Sequence, residues 1–508
     1  MDDYDALPPR SVIWICDVPF NNNYKNVLTF TNRPQQNNYF FSKAKIKLEK
    51  YTYVRKDNSV VVNAKFEDVN ICNYIVFTNR DNIDKENWIY AFIIECEYVS
   101  ENSTRIYFET DVFQTYQFEI EYRSSFVERE HVSDDYFGRY TLNEELDLGE
   151  YIINNHYRDP ASRNYRAVLM SSVDLQSTTY QSALGGRYNG IPTGFKYYSF
   201  DTDMVALGDK LQELTDKGLS DSVLSIFMAP EWLAGTKLVI DESNLATTID
   251  FNIDRITKLD GYTPKNEKLL TYPYCYFLLS NNQGNDAILR QEVWNFNDNS
   301  KYNIKIRGCL CSGCSIRAVP FNYNGDDLSN INGISLGKYP QIGYACDSYI
   351  NWITQNALNI ATNSIQAGAN AVSGNYIGTA NNILSAIHTG IMSDRIPPQI
   401  MNNTNSGDIT TAMSENCFHV YAMSIKKEYA KMIDKYFDMF GYKVNTVKSP
   451  NVKSRQNWNY LKTINCNFTG NIPEKDMEKI KLIFDNGVTL WHNKDTMYNY
   501  DNDNVPVA

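Results

Sequence analysis

The side chains of this chain that could carry chemistry are few and dispersed. Its five histidines (His131, His156, His388, His419 and His492) are scattered, and none forms His-Glu-x-x-His, the spacing that places two imidazoles on one helix face around zinc. Cys309-x-Cys311-x-x-Cys314 is the one cluster that looks like a metal site. Three thiolates suit zinc, but a tetrahedral site needs a fourth ligand, and no nearby His or Cys pair supplies one. Cys309 and Cys311 would also share a face on a strand, so the three read as free thiols. Gly333-Ile334-Ser335-Leu336-Gly337-Lys338-Tyr339 echoes a phosphate loop but lacks the four-residue spacing and the Ser or Thr after Lys that would hold magnesium. Paired carboxylates (Asp134-Asp135, Asp326-Asp327, Glu144-Glu145) are plentiful. Two such groups could flank a sugar bond, yet in an acidic chain they read as solvated loop charge. No catalytic residue, metal or cofactor is expected, and the chain is not expected to be an enzyme.

The elements that would have to position such groups are mostly strands. In 508 residues with a net charge of −12 and 37 Tyr, there is material for about three domains with ample core. The acidic balance disfavours sequence-independent phosphate binding over the whole surface. Ten Cys and an acidic, polar start (Met1-Asp2-Asp3-Tyr4-Asp5) point to reduced thiols in a cytoplasm without a secretory signal. Strands are expected at Val27 to Phe30, Tyr39 to Phe41, Lys45 to Tyr53 and Val60 to Val62. A hairpin is expected to join Trp88–Ile94 to Arg105–Asp111 through Ser100–Ser103. Helices are expected at Met204–Lys217, at Lys427–Phe440 ended by Gly441, and at Glu474–Asp485 opened by Pro473 and closed by Gly487. Further strands are expected at Tyr274–Leu279, Phe418–Ile425, Tyr442–Val447, Trp458–Phe468 and Val488–Trp491. The fold class is α+β and β-rich.

One stretch departs from the rest. Ser348 to Ser393 is 46 residues without an Asp, Glu, Lys or Arg, in a chain that is 21% charged. Only 22 of those residues are apolar, so it is not a constitutive membrane span, which would need about 18 or more in a row. Ile350, Ile353, Ala357, Ile360, Ala361 and Ile365 fall at helical spacing, as do Ile377, Ala380, Ile383, Leu384, Ile387 and Ile391. Ile350, Trp352, Ile353, Leu358, Ile360 and Ile365 fall in a first arm, with Val372 at its end. Ile377, Ile383, Leu384, Ile387 and Ile391 fall in a second arm, beyond the turn Ser373-Gly374-Asn375. Arms near 25 and 18 residues would be about 37 and 27 Å long, close to the ~30 Å hydrocarbon core of a bilayer. Two readings stand: a hairpin packed permanently in the protein's own core, or one sheltered in one state and set against lipid in another. His388 could charge near pH 6 within it.

Several segments, in their order along the chain, resemble the tail knob (distal tail tube) proteins of small short-tailed phages of Gram-positive bacteria, the salasvirus-like group. They are Asn87–Ile93 with Asp111-Val-x-Gln-Thr115, then Phe126–Val132 and Pro264–Tyr274. Glu428-Tyr429 follows, with Ile433-Asp434-x-Tyr436-Phe437-x-x-Phe440-Gly441-Tyr442, and then Gly470–Pro473 and Asn486–Trp491. The resemblance implies a homohexameric tube with β-barrel-like walls. In it an uncharged insertion from each subunit plugs the distal opening and, on ejection, helps perforate the host membrane as DNA passes. It implies a first β tube domain at 1–125, an outer mixed domain at 126–250 and a β-rich segment at 251–335 completing the tube or outer domain. The plug and membrane-active insertion falls at 336–400, and a second α+β tube domain at 401–508. Implied partners are the upper tail tube (lower collar) protein, the tail-tip wall-degrading protein, membrane lipid and DNA in the lumen. The implied location is the virion tail tip after assembly in the host cytoplasm. The alternative is a β-rich receptor-binding tail protein without membrane activity.

Overall fold

The computed structural model describes residues 11–79, 88–159, 164–339 and 417–505, apart from 184–185, 189–190, 202–204, 218, 220–221, 241–247, 283, 295–300, 312, 451, 453–457 and 503. The plug residues Ile350 to Ile391, with His388, therefore lie outside the described residues. The chain divides into two compact units. One comprises 1–147, 264–268 and 431–508, and the other 148–263 and 269–430.

In the first unit a six-stranded antiparallel sheet runs in the order Ala44–Tyr51, Ser11–Cys16, Tyr74–Thr78, Ile89–Ser100, Ser103–Thr110, Ser59–Val62. Alternation along Ser11–Cys16 sends Val12 and Cys16 into one apolar cluster and Ile13 and Ile15 into another, so the sheet is buried on both faces. The expected hairpin is present, turning at Glu101-Asn102. Tyr39–Phe41, expected as a strand, lies instead in helix Arg33–Ser42. The Asn32 side chain accepts the Gln35 N–H at 2.9 Å and Pro34 sits in the first turn. That start signal outweighs the β preference of three aromatics. The helix presses the Phe40 ring flat against Tyr74, 5.2 Å between centroids.

An early and a late strand meet in the same unit's second sheet, whose order is Asn26–Leu28, Val488–Trp491, Asn459–Ile464, Ser125–Glu130, Tyr442–Lys448. Asn26–Leu28 pairs parallel to Val488–Trp491 and the other pairs are antiparallel. Helix Glu474–Asn486 packs Ile480, Ile483 and Phe484 on this sheet's core. The expected strand Trp458–Phe468 is two strands, Asn459–Ile464 and Phe468–Thr469, because Asn465 turns through φ +55°. Helix Lys427–Phe440 stops where expected, at Gly441 with φ +63°. A Cβ there would drive into the Glu130 carbonyl.

The second unit holds three main sheets. Tyr151–Arg158, His419–Ile425, Cys275–Ser280 and Asp286–Leu289 form a four-stranded one. Thr248–Asp254, Lys301–Arg307, Arg317–Tyr323 and Asp326–Leu328 form another, with Ile334–Ser335 added on Arg317–Tyr323. Lys196–Phe200, Tyr165–Ser171 and Val223–Pro230 form the third. Helix Val205–Asp216 buries Leu207, Leu211 and Leu214 in a cluster with Tyr198 and Phe200 from that sheet. The described part is a β-rich α+β protein.

Candidate functional site

The described residues that flank the charge-free stretch on either side belong to one apolar core of the second unit. Ile334, Leu336 and Tyr339 on its upstream side belong to the same buried cluster as Phe418, Val420 and Ala422 on its downstream side. Upstream, Leu336 N donates to Ile316 O at 3.0 Å and Tyr339 N to Cys314 O at 2.9 Å, while the Tyr339 ring lies parallel to Phe227. Downstream, Phe418 O accepts the Asp159 N–H at 2.9 Å, and His419–Ile425 is held between two strands. Described residues on both sides of the stretch are thus fixed in the same core. Among the described residues, no helix is long and apolar enough to cross a membrane.

The segments singled out in the sequence become polar hubs in the first unit. Asp111 caps a short helix by accepting the Gln114 N–H at 3.0 Å, and Tyr74 Oη donates to its other oxygen at 2.8 Å. Gln114 Nε2 donates to Leu28 O at 2.7 Å, and Gln36 Nε2 to Gln114 O at 2.7 Å. Full burial raises the Asp111 carboxyl to about 7, against the pull of these hydrogen bonds. Burial first, and then the Asp111 charge, pushes the Tyr74 phenol well up.

A second hub joins three distant stretches. Glu144, with its side chain fully shielded, pairs with both Arg129 and Lys268 and accepts the Lys443 N–H at 2.9 Å. Arg129 also donates to Gly441 O at 2.7 Å. Next to it, Asn266 donates to Asp434 at 2.7 Å and to Asp438 at 2.9 Å. Burial lowers the Lys268 pKa, with Glu144 opposing the shift. Glu144 was expected to be solvated loop charge. Two basic residues inside the quoted segments, Arg129 and Lys268, were the available hint that a buried acid awaited them.

The remaining chemistry-bearing residues are placed as follows. His131 is buried, accepting the Tyr460 N–H at Nδ1 (2.6 Å) and meeting Asp438 O from Nε2 (3.1 Å). His492 bonds Thr29 and Asn459. His156 and His419 meet across two strands. Cys309, Cys311 and Cys314 lie in a turn after strand Lys301–Arg307, not on it, with Cys311 N bonded to Cys309 O and Cys314 N to Cys311 O. Burial, then its two neighbouring thiols, raises Cys314 to about 11. Among the described residues, no group of three or more His, Cys, Asp or Glu side chains is placed to hold a metal ion.

Comparison with known proteins fixes the family. Residues 241–396 and 392–505, together more than half of the chain, match the family of the C-terminal domain of tail knob protein gp9 of Bacillus phage phi29. The chain belongs to this tail knob family. Residues 10–121 match the N-terminal part of caudoviral major tail proteins. Tail knob protein gp9 of Bacillus phage phi29 is 28% identical over 99% of this chain and 99% of its own length. That of Bacillus phage PZA is 27% identical over 97% and 98%. The structure of the tail knob protein gp12 of bacteriophage C1 superposes with a TM-score of 0.65 at 16% identity, covering 98% of this chain and all of that one. The protein is a structural component of a phage virion tail.

Proposed function

We propose that this tail knob protein forms a homohexameric distal tube closed by its insertion at 336–400, of which residues 348–393 carry no charge. On genome ejection the insertion leaves the lumen and perforates the host membrane. The observation that carries the reading is the run of 46 residues without an ionised side chain. Each Lys or Asp at bilayer mid-depth costs about 2.5–3.5 kcal/mol, and six copies would multiply it. Asn, Gln, Ser and Thr within the stretch tolerate both water and a pore interior. Upstream and downstream anchoring in one core supports it, since a released loop must stay tied to the tube. The tube joins the upper tail tube protein and the tail-tip wall-degrading protein, DNA slides through its lumen, and the protein has no enzymatic role.

Electron microscopy of the purified protein is expected to show six-fold rings or tubes. Compact trimers would favour the receptor-binding alternative. Leu384→Lys is expected to assemble normally yet release no dye from liposomes that the parent protein makes leaky. Equal leakage from both proteins would remove the membrane role.

A further inference from the structure

The segment after strand Lys301–Arg307 carries three thiols close together, Cys309, Cys311 and Cys314, each half-buried and open to solvent on one side. Cys314 N donates to Cys311 O at 3.1 Å, the bond that closes a four-residue turn, and Gly313 at its third position has φ +79°. A turn of this kind keeps its first and fourth Cα atoms within about 7 Å. Disulfides span Cα separations of about 4.4–6.8 Å. The side chains converge as well. The Cys314 thiol is in hydrogen-bonding reach of Cys311 and Cys309, and the Tyr197 hydroxyl meets Cys311. Cys314 O in turn accepts the Tyr339 N–H at 2.9 Å, and Tyr339 is the last described residue ahead of the charge-free stretch.

We propose that Cys311 and Cys314 are a redox modification site that closes to a disulfide when the protein passes from reducing to oxidising surroundings. A component of a virion tail spends time outside any cell, where disulfides persist. With glutathione disulfide as the oxidant, the Cys311 thiolate attacks one of its sulfurs and releases one glutathione. The Cys314 sulfur then displaces the second from Cys311. Two thiol protons and two electrons have passed to two molecules of glutathione, and one S–S bond has replaced another. Cys311 attacks first because the Tyr197 hydroxyl can donate to its thiolate, whereas burial and the neighbouring thiols push Cys314 up to about 11. A thiol that ionises so reluctantly is also a poor leaving group, so the finished bond resists reduction at the Cys314 sulfur. Cys309 stays a thiol, since its bond to Cys311 would close a ring one residue smaller and further from relaxed disulfide geometry. The Cys311–Cys314 ring stiffens the turn whose carbonyl holds Tyr339.

Mass spectrometry of the full-length protein tests this. The protein is reduced, incubated in its folded state with glutathione disulfide, unfolded in acid, alkylated with N-ethylmaleimide and cut with trypsin. Gly308–Arg317 is a single tryptic peptide that carries all three cysteines. It is expected to take up three maleimides before oxidation and one afterwards, with no glutathione retained. Fragmentation should place that one label on Cys309. After oxidation the peptide from Cys309→Ser should take up none, and those from Cys311→Ser and Cys314→Ser should each take up two, with circular dichroism showing the variants folded. Three labels on the oxidised parent, a label on Cys311 or Cys314, or a Cys311→Ser peptide that takes up none overturns the assignment.

Discussion

At the scale of single residues, the most informative groups are charges that the fold has taken out of water. Glu144 neutralises Arg129 and Lys268 at once, and removing it would leave two cations buried without their acceptor. Glu144→Ala is expected to cost about 3–5 kcal/mol, read as a lowered urea midpoint with unchanged slope. Asp111 carries a pH signature. Burial raises its carboxyl in the folded protein to about 7, above the ordinary aspartate range of about 3.9, so the folded state holds the proton that the unfolded chain has already released. The stability it contributes is complete below about pH 4 and is lost as pH rises through 7. Asp111→Asn keeps the cap oxygen for Gln114 and has nothing to ionise. The difference in unfolding free energy between parent and Asp111→Asn should therefore shift in favour of the variant between pH 4 and pH 7. A difference that stays flat over that range would show that Asp111 is ionised at no cost in the folded protein.

At the scale of elements, local signals were legible where the chain decides its own conformation. Runs of β-branched and aromatic residues between turn signals found strands Ser59–Val62, Ile89–Ser100 and Ser103–Thr110, and end signals found helices Lys427–Phe440 and Glu474–Asn486. Gly441 illustrates why such boundaries hold, since its φ of +63° and the adjacent Glu130 carbonyl leave no room for a side chain. Gly441→Ala is expected to destabilise by about 1–3 kcal/mol, measured by thermal or urea unfolding. The misreadings have physical causes too. Tyr39-Phe40-Phe41 has the composition of a strand, but Asn32 and Pro34 had already begun a helix. The Asn465 kink is a single residue in an otherwise strand-like run. Glu144 and the His156–His419 pair depend on partners more than one hundred residues away, Lys268 and His419 respectively, and no periodicity reports such distances. The plug residues were legible only through composition, and they lie outside the described residues.

At the scale of the whole molecule, the question is why a structural tail protein keeps 46 consecutive residues free of charge. Two physical demands could impose it: close packing in a sheltered position, or transfer into hydrocarbon. They respond differently to substitution at one site. Gln resembles the polar residues already abundant between Ser348 and Ser393, whereas Lys adds a charge whose mid-depth cost is about 2.5–3.5 kcal/mol per copy. If packing were the constraint, Leu384→Gln and Leu384→Lys would both lose the Leu contacts and both impair the plug. On the proposed membrane role, Leu384→Gln should retain most liposome leakage while Leu384→Lys loses it. The loss should deepen with the number of charged subunits when the two proteins are mixed before assembly. Leakage abolished equally by Gln and Lys would assign the absence of charge to packing within the tube. In that case the insertion would be a passive stopper and perforation would belong to another tail component.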